Sequence, residues 1–176
     1  MKPRQLIPFT ASRHLLIVTI ALMLSAASAG AQVLIGGHIG LGTRADGNGL
    51  SLSLYPDISY RLNNNFIVGG QLSFRTSYNQ LGVNPYLRCH LRPFGTDLIT
   101  VFLSANMPCE FTGNSSSISL RLRPGFTVRI SENFYLVANV GYTGYSWTFN
   151  GSRLISSKWS SRFNQDSINI GFCVAL

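Results

Sequence analysis

The chain has 176 residues with 14 Lys and Arg against 6 Asp and Glu, a formal charge of +8, yet only 11% of its residues are charged and its mean hydropathy is +0.19. Soluble domains carry about 25% charged residues, so the composition excludes an ordinary water-facing surface. The three cysteines, Cys89, Cys109 and Cys173, are odd in number and have no Cys-x-x-Cys spacing, which leaves at least one thiol without an internal partner and excludes a dense disulfide framework.

Lys2, Arg4 and Arg13 flank an apolar run from Leu15 to Leu24, and small residues follow, ending in Ala27-Ser28-Ala29 and Ala29-Gly30-Ala31. That is the layout of a secretory signal peptide. The apolar run is about half the length that a membrane-spanning helix needs. The expected organisation is a signal peptide over residues 1–31, cleaved after Ala29 or Ala31, and one exported domain over residues 32–176. Removing Lys2, Arg4 and Arg13 takes the formal charge from +8 to +5, and Lys158 is then the single lysine.

The exported part reads as eight alternating segments. The first runs from Gln32 to Gly42, with Val33, Ile35, Ile39 and Leu41 on one parity and His38 on the other. The second and third form a hairpin: Leu50, Leu52, Leu54, Ile58, Tyr60 and Leu62 alternate with Ser51, Ser53, Asp57, Ser59 and Arg61. Asn63, Asn64 and Asn65 then interrupt, and Phe66, Val68, Gly70, Leu72 and Phe74 resume. A period of two gives a strand with one apolar and one polar face, and an asparagine cluster between two such runs gives a turn. The hairpin recurs, since Pro56, Arg61, Leu62, Asn65, Phe66 and Val68 match Pro124, Arg129, Ile130, Asn133, Phe134 and Leu136 at the same offsets.

The fourth segment sets Leu81, Val83, Leu87, Cys89 and Leu91 against Asn84, Tyr86, Arg88, His90 and Arg92. The fifth sets Ile99, Val101, Leu103, Ala105 and Met107 against Thr100, Ser104, Asn106 and Glu110, with Phe102 intruding on the polar side. The sixth has Ile118, Leu120, Leu122, Phe126, Val128 and Ile130 against Ser119, Arg121, Arg123, Thr127 and Arg129. The seventh has Phe134, Leu136, Ala138, Val140 and Tyr142 against Asn139, Gly141 and Thr143. A loop over residues 148–165 precedes the eighth, in which Ile168, Ile170, Phe172, Val174 and Leu176 alternate.

An exported, apolar, alternating chain without a helix-length apolar segment after residue 31 points to the other structure a bilayer permits, a closed antiparallel barrel. The expected fold is all-β: an eight-stranded, up-and-down transmembrane barrel with short turns on one side and longer loops on the other. That asymmetry predicts that both termini face the periplasm. A soluble, lipocalin-like barrel with its apolar face inward is the structural alternative. Against it, the polar parity is Ser, Gly, Asn, Thr and Arg with hardly any Lys or Glu. Aromatic residues also recur near strand ends on the apolar parity: Tyr60, Phe66, Phe94 and Phe134 on one side, Phe74, Phe111 and Tyr142 on the other, as in interfacial girdles. Pro56, Pro85, Pro108 and Pro124 fall inside strands, where proline removes a ladder donor, and bulges are expected there.

Residues Pro56-Asp57-Ile58-Ser59-Tyr60 leading to Asn65-Phe66, their echo from Pro124 to Phe134, and the terminal alternation resemble the small eight-stranded outer-membrane β-barrels of the OmpA-transmembrane-domain or OmpX type, a porin-like architecture. The resemblance implies fold and location in the cell envelope of a Gram-negative-type bacterium, contact with outer-membrane lipid and lipopolysaccharide, and handling by the outer-membrane assembly machinery. It implies no single activity. Relatives of this kind end in an aromatic residue, whereas this chain ends in Leu176.

The polar parity carries Asp57, Arg61, Arg75, Arg88, His90, Glu110, Arg121 and Arg123, the expected lumen network of a narrow, arginine-rich interior rather than an open pore. The residue 148–165 loop holds Arg153, Lys158, Trp159 and Arg162, a mixture that contact surfaces favour, and it is the candidate site for an extracellular protein or surface partner. No nucleophile elbow, phosphate loop or metal-ligand cluster appears. The expectation is therefore a non-enzymatic protein without cofactor or bound metal, with a lipid-modifying enzyme as the alternative. Arginines that alternate into an interior cannot form a nucleic-acid stripe, so no nucleic-acid partner is expected.

Overall fold

The structure, a computed structural model, describes residues 32–43, 50–75, 80–113, 115–163 and 168–176. The signal-peptide expectation lies outside the described residues. Among the described residues there are eleven antiparallel strands: β1 (Gln32–Thr43), β2 (Leu50–Arg61), β3 (Phe66–Arg75), β4 (Gln80–His90), β5 (Ile99–Asn106), β6 (Cys109–Thr112), β7 (Ser115–Arg129), β8 (Phe134–Val140), β9 (Tyr142–Asn150), β10 (Arg153–Arg162) and β11 (Ile168–Ala175). They make eight crossings, because β5 runs on into β6, β8 into β9 and β10 into β11. Pairing of β1 with both β2 and β11 closes the sheet into a barrel, so that no edge is left along the closed part.

The apolar parity faces out around the ring: Ile39, Leu54, Leu72, Leu81, Val101, Leu120 and Ile170 are each roughly half exposed, while His38, Gln71, Asn84, Ser104, Ser119 and Asn139 are buried inside. This is the reverse of a soluble ligand-binding barrel.

The repeated hairpin folds as the same turn twice. The Phe66 carbonyl accepts from the Leu62 and Asn63 amides at 2.9 and 3.4 Å, and the Phe134 carbonyl accepts from Ile130 and Ser131 at 2.9 and 3.1 Å. The Asn65 carbonyl accepts from the His90 amide at 2.7 Å, and the Asn133 carbonyl accepts from the Ala175 amide at 2.8 Å. Each copy therefore also ties its turn to the strand next door.

The prolines depart from expectation. Pro56, Pro85 and Pro124 keep register with Gly37, Gly70 and Leu103, and no bulge forms on their own strands. A proline lacks the donor for one side of the ladder, and at Pro85 and Pro124 the neighbouring strand is the one that breaks, whereas β3 runs unbroken past Pro56. Pro85 lies opposite the Met107-Pro108 gap between β5 and β6, and Pro124 opposite Gly141 between β8 and β9. At Gly141 the register against β7 slips by one, from Gly125↔Asn139 to Leu122↔Thr143. Gly141 takes φ +69°, which favours glycine.

The slip reverses the facing along β9. Tyr142, expected among the outward girdle, turns into the lumen, while Tyr145 and Trp147 pair with the outward Leu120 and Ile118. The expected loop over residues 148–165 is also corrected: β9 and β10 form a long ribbon joined by a Gly151-Ser152 turn, with Arg153 opposite Asn150. A ribbon wetted on both faces has no reason to alternate in hydropathy, and its Ser-rich sequence reads as a loop for that reason. A second shift between Leu154 and Ser156 disturbs what alternation remains.

Candidate functional site: a lumen closed at one end and cationic at the other

The lumen has two unlike halves. At the end of the tight turns, Leu34, Ile67, Tyr86, Phe94, Phe102, Tyr135, Val137, Cys173 and Ala175 form one buried cluster. Phe94 comes from the β4–β5 turn, whose amide at Phe94 donates to the Asn64 carbonyl at 2.7 Å; this folds the ring beneath the barrel, 2% exposed, and removes it from the expected girdle. Phe102, the intruder on the polar parity of β5, lies 1% exposed in the same cluster. A Cβ at Gly125 would collide with its ring and with the Ala138 carbonyl, so a residue without a side chain is what lets Phe102 in. Apolar side chains filling an eight-stranded interior exclude water and close it.

His90 sits in this plug, its ring 5.0 Å from Phe94 and 5.4 Å from Phe102, and neither ring nitrogen has a hydrogen-bond partner. Its neighbours are therefore aromatic rather than polar. Arg88 lies on top, 5% exposed, with its guanidinium 4.4 Å from the Phe102 centroid and 5.1 Å from that of Tyr86. Stacking on two ring faces offsets part of the cost of desolvating a cation. The Tyr86 hydroxyl reaches on to donate to Asp57 Oδ1 at 2.8 Å. Arg61 is near the turns, donating to Gln32 Oε1, Asn64 Oδ1 and the Phe94 carbonyl at 3.1–3.3 Å. Arg92, read as inward from its parity, is instead exposed and paired with Asp97 at 3.1 Å, because the β4–β5 turn has already begun.

Above Arg88 an amide and imidazole chain crosses the barrel. Asn84 Nδ2 donates to Gln71 Oε1 at 3.0 Å, Gln71 Nε2 meets His38 Nδ1 at 3.0 Å, and Asn139 Nδ2 meets His38 Nε2 at 3.2 Å. Four strands, β4, β3, β1 and β8, each supply one member. Both His38 nitrogens are engaged by amides, with no serine or carboxylate at either one.

Over this floor opens a polar cavity of about 390 Å³. Its lining includes Tyr55, Asn106, Glu110, Arg121, Arg123 and Tyr142 from the barrel, and Ser146, Lys158, Ser160 and Arg162 from the ribbon. Arg121 stacks on Tyr142 at 4.7 Å and donates to Ser119 Oγ at 3.2 Å. Glu110 accepts from Ser117 Oγ at 3.5 Å. Among the described residues the single ion pair is Arg92 with Asp97, so Glu110 compensates none of the cavity's cations by direct contact.

Sequence reading did not connect Lys158 and Arg162 with the lumen. Their sequence context places them in a separate contact loop, and only the ribbon's pairing, Lys158 with Ser146 and Arg162 with Tyr142, turns them inward. Trp159 faces the other way, exposed opposite Tyr145, and Arg153 is exposed at the ribbon tip. The side chain of Arg75 lies outside the described residues. Among the described residues no group of three or more His, Cys, Asp or Glu could hold a metal ion, and Cys89, Cys109 and Cys173 are free thiols.

No family model and no curated protein matches the chain. Among solved structures, the crystal structure of Neisserial surface protein A is similar, with TM-score 0.48 and 15% sequence identity over 83% of this chain and 97% of that one. The barrel described above rests on this chain's own closed ladder of strands.

Proposed function

We propose that the protein is an outer-membrane β-barrel with a structural or surface-binding role, not an open porin and not an enzyme. One observation carries the membrane reading: the half-exposed apolar side chains form a belt around the entire ring. Soluble monomers rarely expose apolar patches larger than a few hundred Å², whereas lipid accepts such a belt and a closed sheet leaves no backbone group unsatisfied in it. The short turns and the last strand's end are assigned to the periplasm, and the β9–β10 ribbon to the outside. The partners in this reading are outer-membrane lipid and lipopolysaccharide, the assembly machinery, and a surface partner met by the ribbon's exposed Trp159, Leu154 and Arg153. A non-enzymatic role is supported by His38, whose two nitrogens are held by amides rather than by a nucleophile and a carboxylate.

Site-directed labelling tests this. In a cysteine-free background, Leu54→Cys and Leu122→Cys are expected to resist a water-soluble maleimide, while Ser152→Cys labels on intact cells. Equal labelling at all three sites is the result that refutes the membrane reading. Unheated protein is also expected to migrate differently from boiled protein in detergent gels.

A further inference from the structure

The cationic cavity is chemically incomplete as it stands. Arg121, Arg123, Lys158 and Arg162 line it, and among the described residues Glu110 is the one acidic side chain that does. Arg121 is held in place by its stack on Tyr142, and Arg123 has a buried Nε without a partner. Neither Lys158 nor Arg162 has a side-chain hydrogen bond or ion pair among the described residues. Like charges facing one narrow space repel, and they repel more strongly where water is partly excluded. A second demand exists in the same space. The rest of the same wall is rich in hydroxyl and amide side chains, among them Ser73, Ser146, Ser160 and Asn169. Such groups both donate to and accept from a ligand's hydroxyls.

One ligand chemistry meets both demands: anionic oxygens for the four cations, and hydroxyls for the hydroxyl and amide groups of the wall. Tyr55 and Tyr142 add ring faces to the wall, and the volume falls at the lower end of small-molecule pockets. From this we infer that the open half of the lumen binds a small phosphorylated polyol, of the sugar-phosphate kind, with its phosphate among Arg121, Arg123, Lys158 and Arg162 and its hydroxyls toward Ser146, Ser160 and Asn169. The ribbon is then part of the site, since β10 supplies two of the cations from above the barrel rim. The plug beneath makes the site blind-ended, so the ligand enters and leaves by one mouth. The inference needs the closed barrel and its open end, but not the membrane location.

Calorimetry on the intact protein in a neutral polyoxyethylene detergent tests it, with glucose 6-phosphate, glucose, inorganic phosphate and short-chain phosphatidylinositol as probes. Glucose 6-phosphate is expected to bind at least about tenfold more tightly than glucose or phosphate. Tighter binding of phosphatidylinositol than of glucose 6-phosphate supports the site and identifies a lipid headgroup as the source; the reverse order supports it and identifies a free solute. Arg121→Gln with Arg123→Gln should weaken binding by about tenfold or more. Because Arg123 is deep in the barrel, Lys158→Gln with Arg162→Gln on the exposed ribbon serves as a second variant with the same expected direction, each checked for an unchanged gel shift on heating. Arg92→Gln, on the exposed turn at the other end, is expected to bind as the unaltered protein does. Equal affinity for inorganic phosphate and glucose 6-phosphate, no binding of either phosphorylated polyol below about 10 mM, or indifference to both cation pairs would overturn the inference.

Discussion

The two ends of this barrel are built from the same alternating strands, yet one is a packed plug and the other an unfilled cationic cup. At the turn end, short asparagine turns hold the strands, Phe94 folds under, and Phe102, Tyr135, Ile67 and Leu34 occupy the space that the polar parity would otherwise leave to water. At the ribbon end the lumen-facing positions are Arg121, Arg123, Lys158, Glu110 and small polar residues around a cavity. Outward apolar alternation is the same along both ends, and it is indifferent to what fills the centre. The interior is therefore free to specialise along its length, so stability should concentrate at the plug and binding at the cup.

The largest effect that could break this contrast concerns the plug. Phe102→Ala removes a fully buried ring and strips Arg88 of one stacking face, and a loss of about 3–5 kcal/mol is expected in urea unfolding from lipid vesicles. Tyr142→Ala, in the partly open cup, should cost less than half as much. Comparable losses at both positions would mean that the two ends do not differ in packing.

Next comes the close approach at Gly125. Gly125→Ala drives a methyl group into the Phe102 ring, with about 1–3 kcal/mol of destabilisation expected. Combining it with Phe102→Leu should cost less than the two single losses added together, because the smaller side chain vacates the contested space. Strict additivity in that cycle would separate the two residues.

Conduction sharpens the same comparison. A lumen stoppered by aromatic rings should pass little current in planar bilayers, and any leak should prefer anions because the cup's cations set the field. Phe94→Ala with Phe102→Ala should raise the leak while keeping its anion preference. Arg88→Ser with Arg123→Ser should raise it and weaken that preference. A large, steady, cation-selective current through the unaltered protein is incompatible with the plug. The smallest effect is expected outside the lumen: Arg92→Ala breaks a pair exposed at 75% and 43% and should change stability by no more than about 0.5 kcal/mol.

The sequence by itself determined the number of crossings, their outward apolar faces and the repeated asparagine turn, because period-two alternation and turn chemistry are local properties, readable strand by strand. It also put Asp57, Arg88, Arg121 and Arg123 on the polar parity. What it could not decide was anything that depends on a change of phase or on a cross-barrel meeting. A single unpaired residue at Gly141 turned Tyr142 inward and Tyr145 and Trp147 outward, and the slip shows only in the pairing with β7. Phe102 looked like a flaw in β5 until Gly125, 23 positions along the chain, proved to make room for it. Lys158 and Arg162 looked like loop residues because β10 is wet on both faces and so lacks an apolar period, and only its ladder with β9 brings them over the arginines of β7. Alternation fixes which side of a sheet a residue takes; which residues then share the space inside is decided by register and closure, and those exist only in the folded barrel.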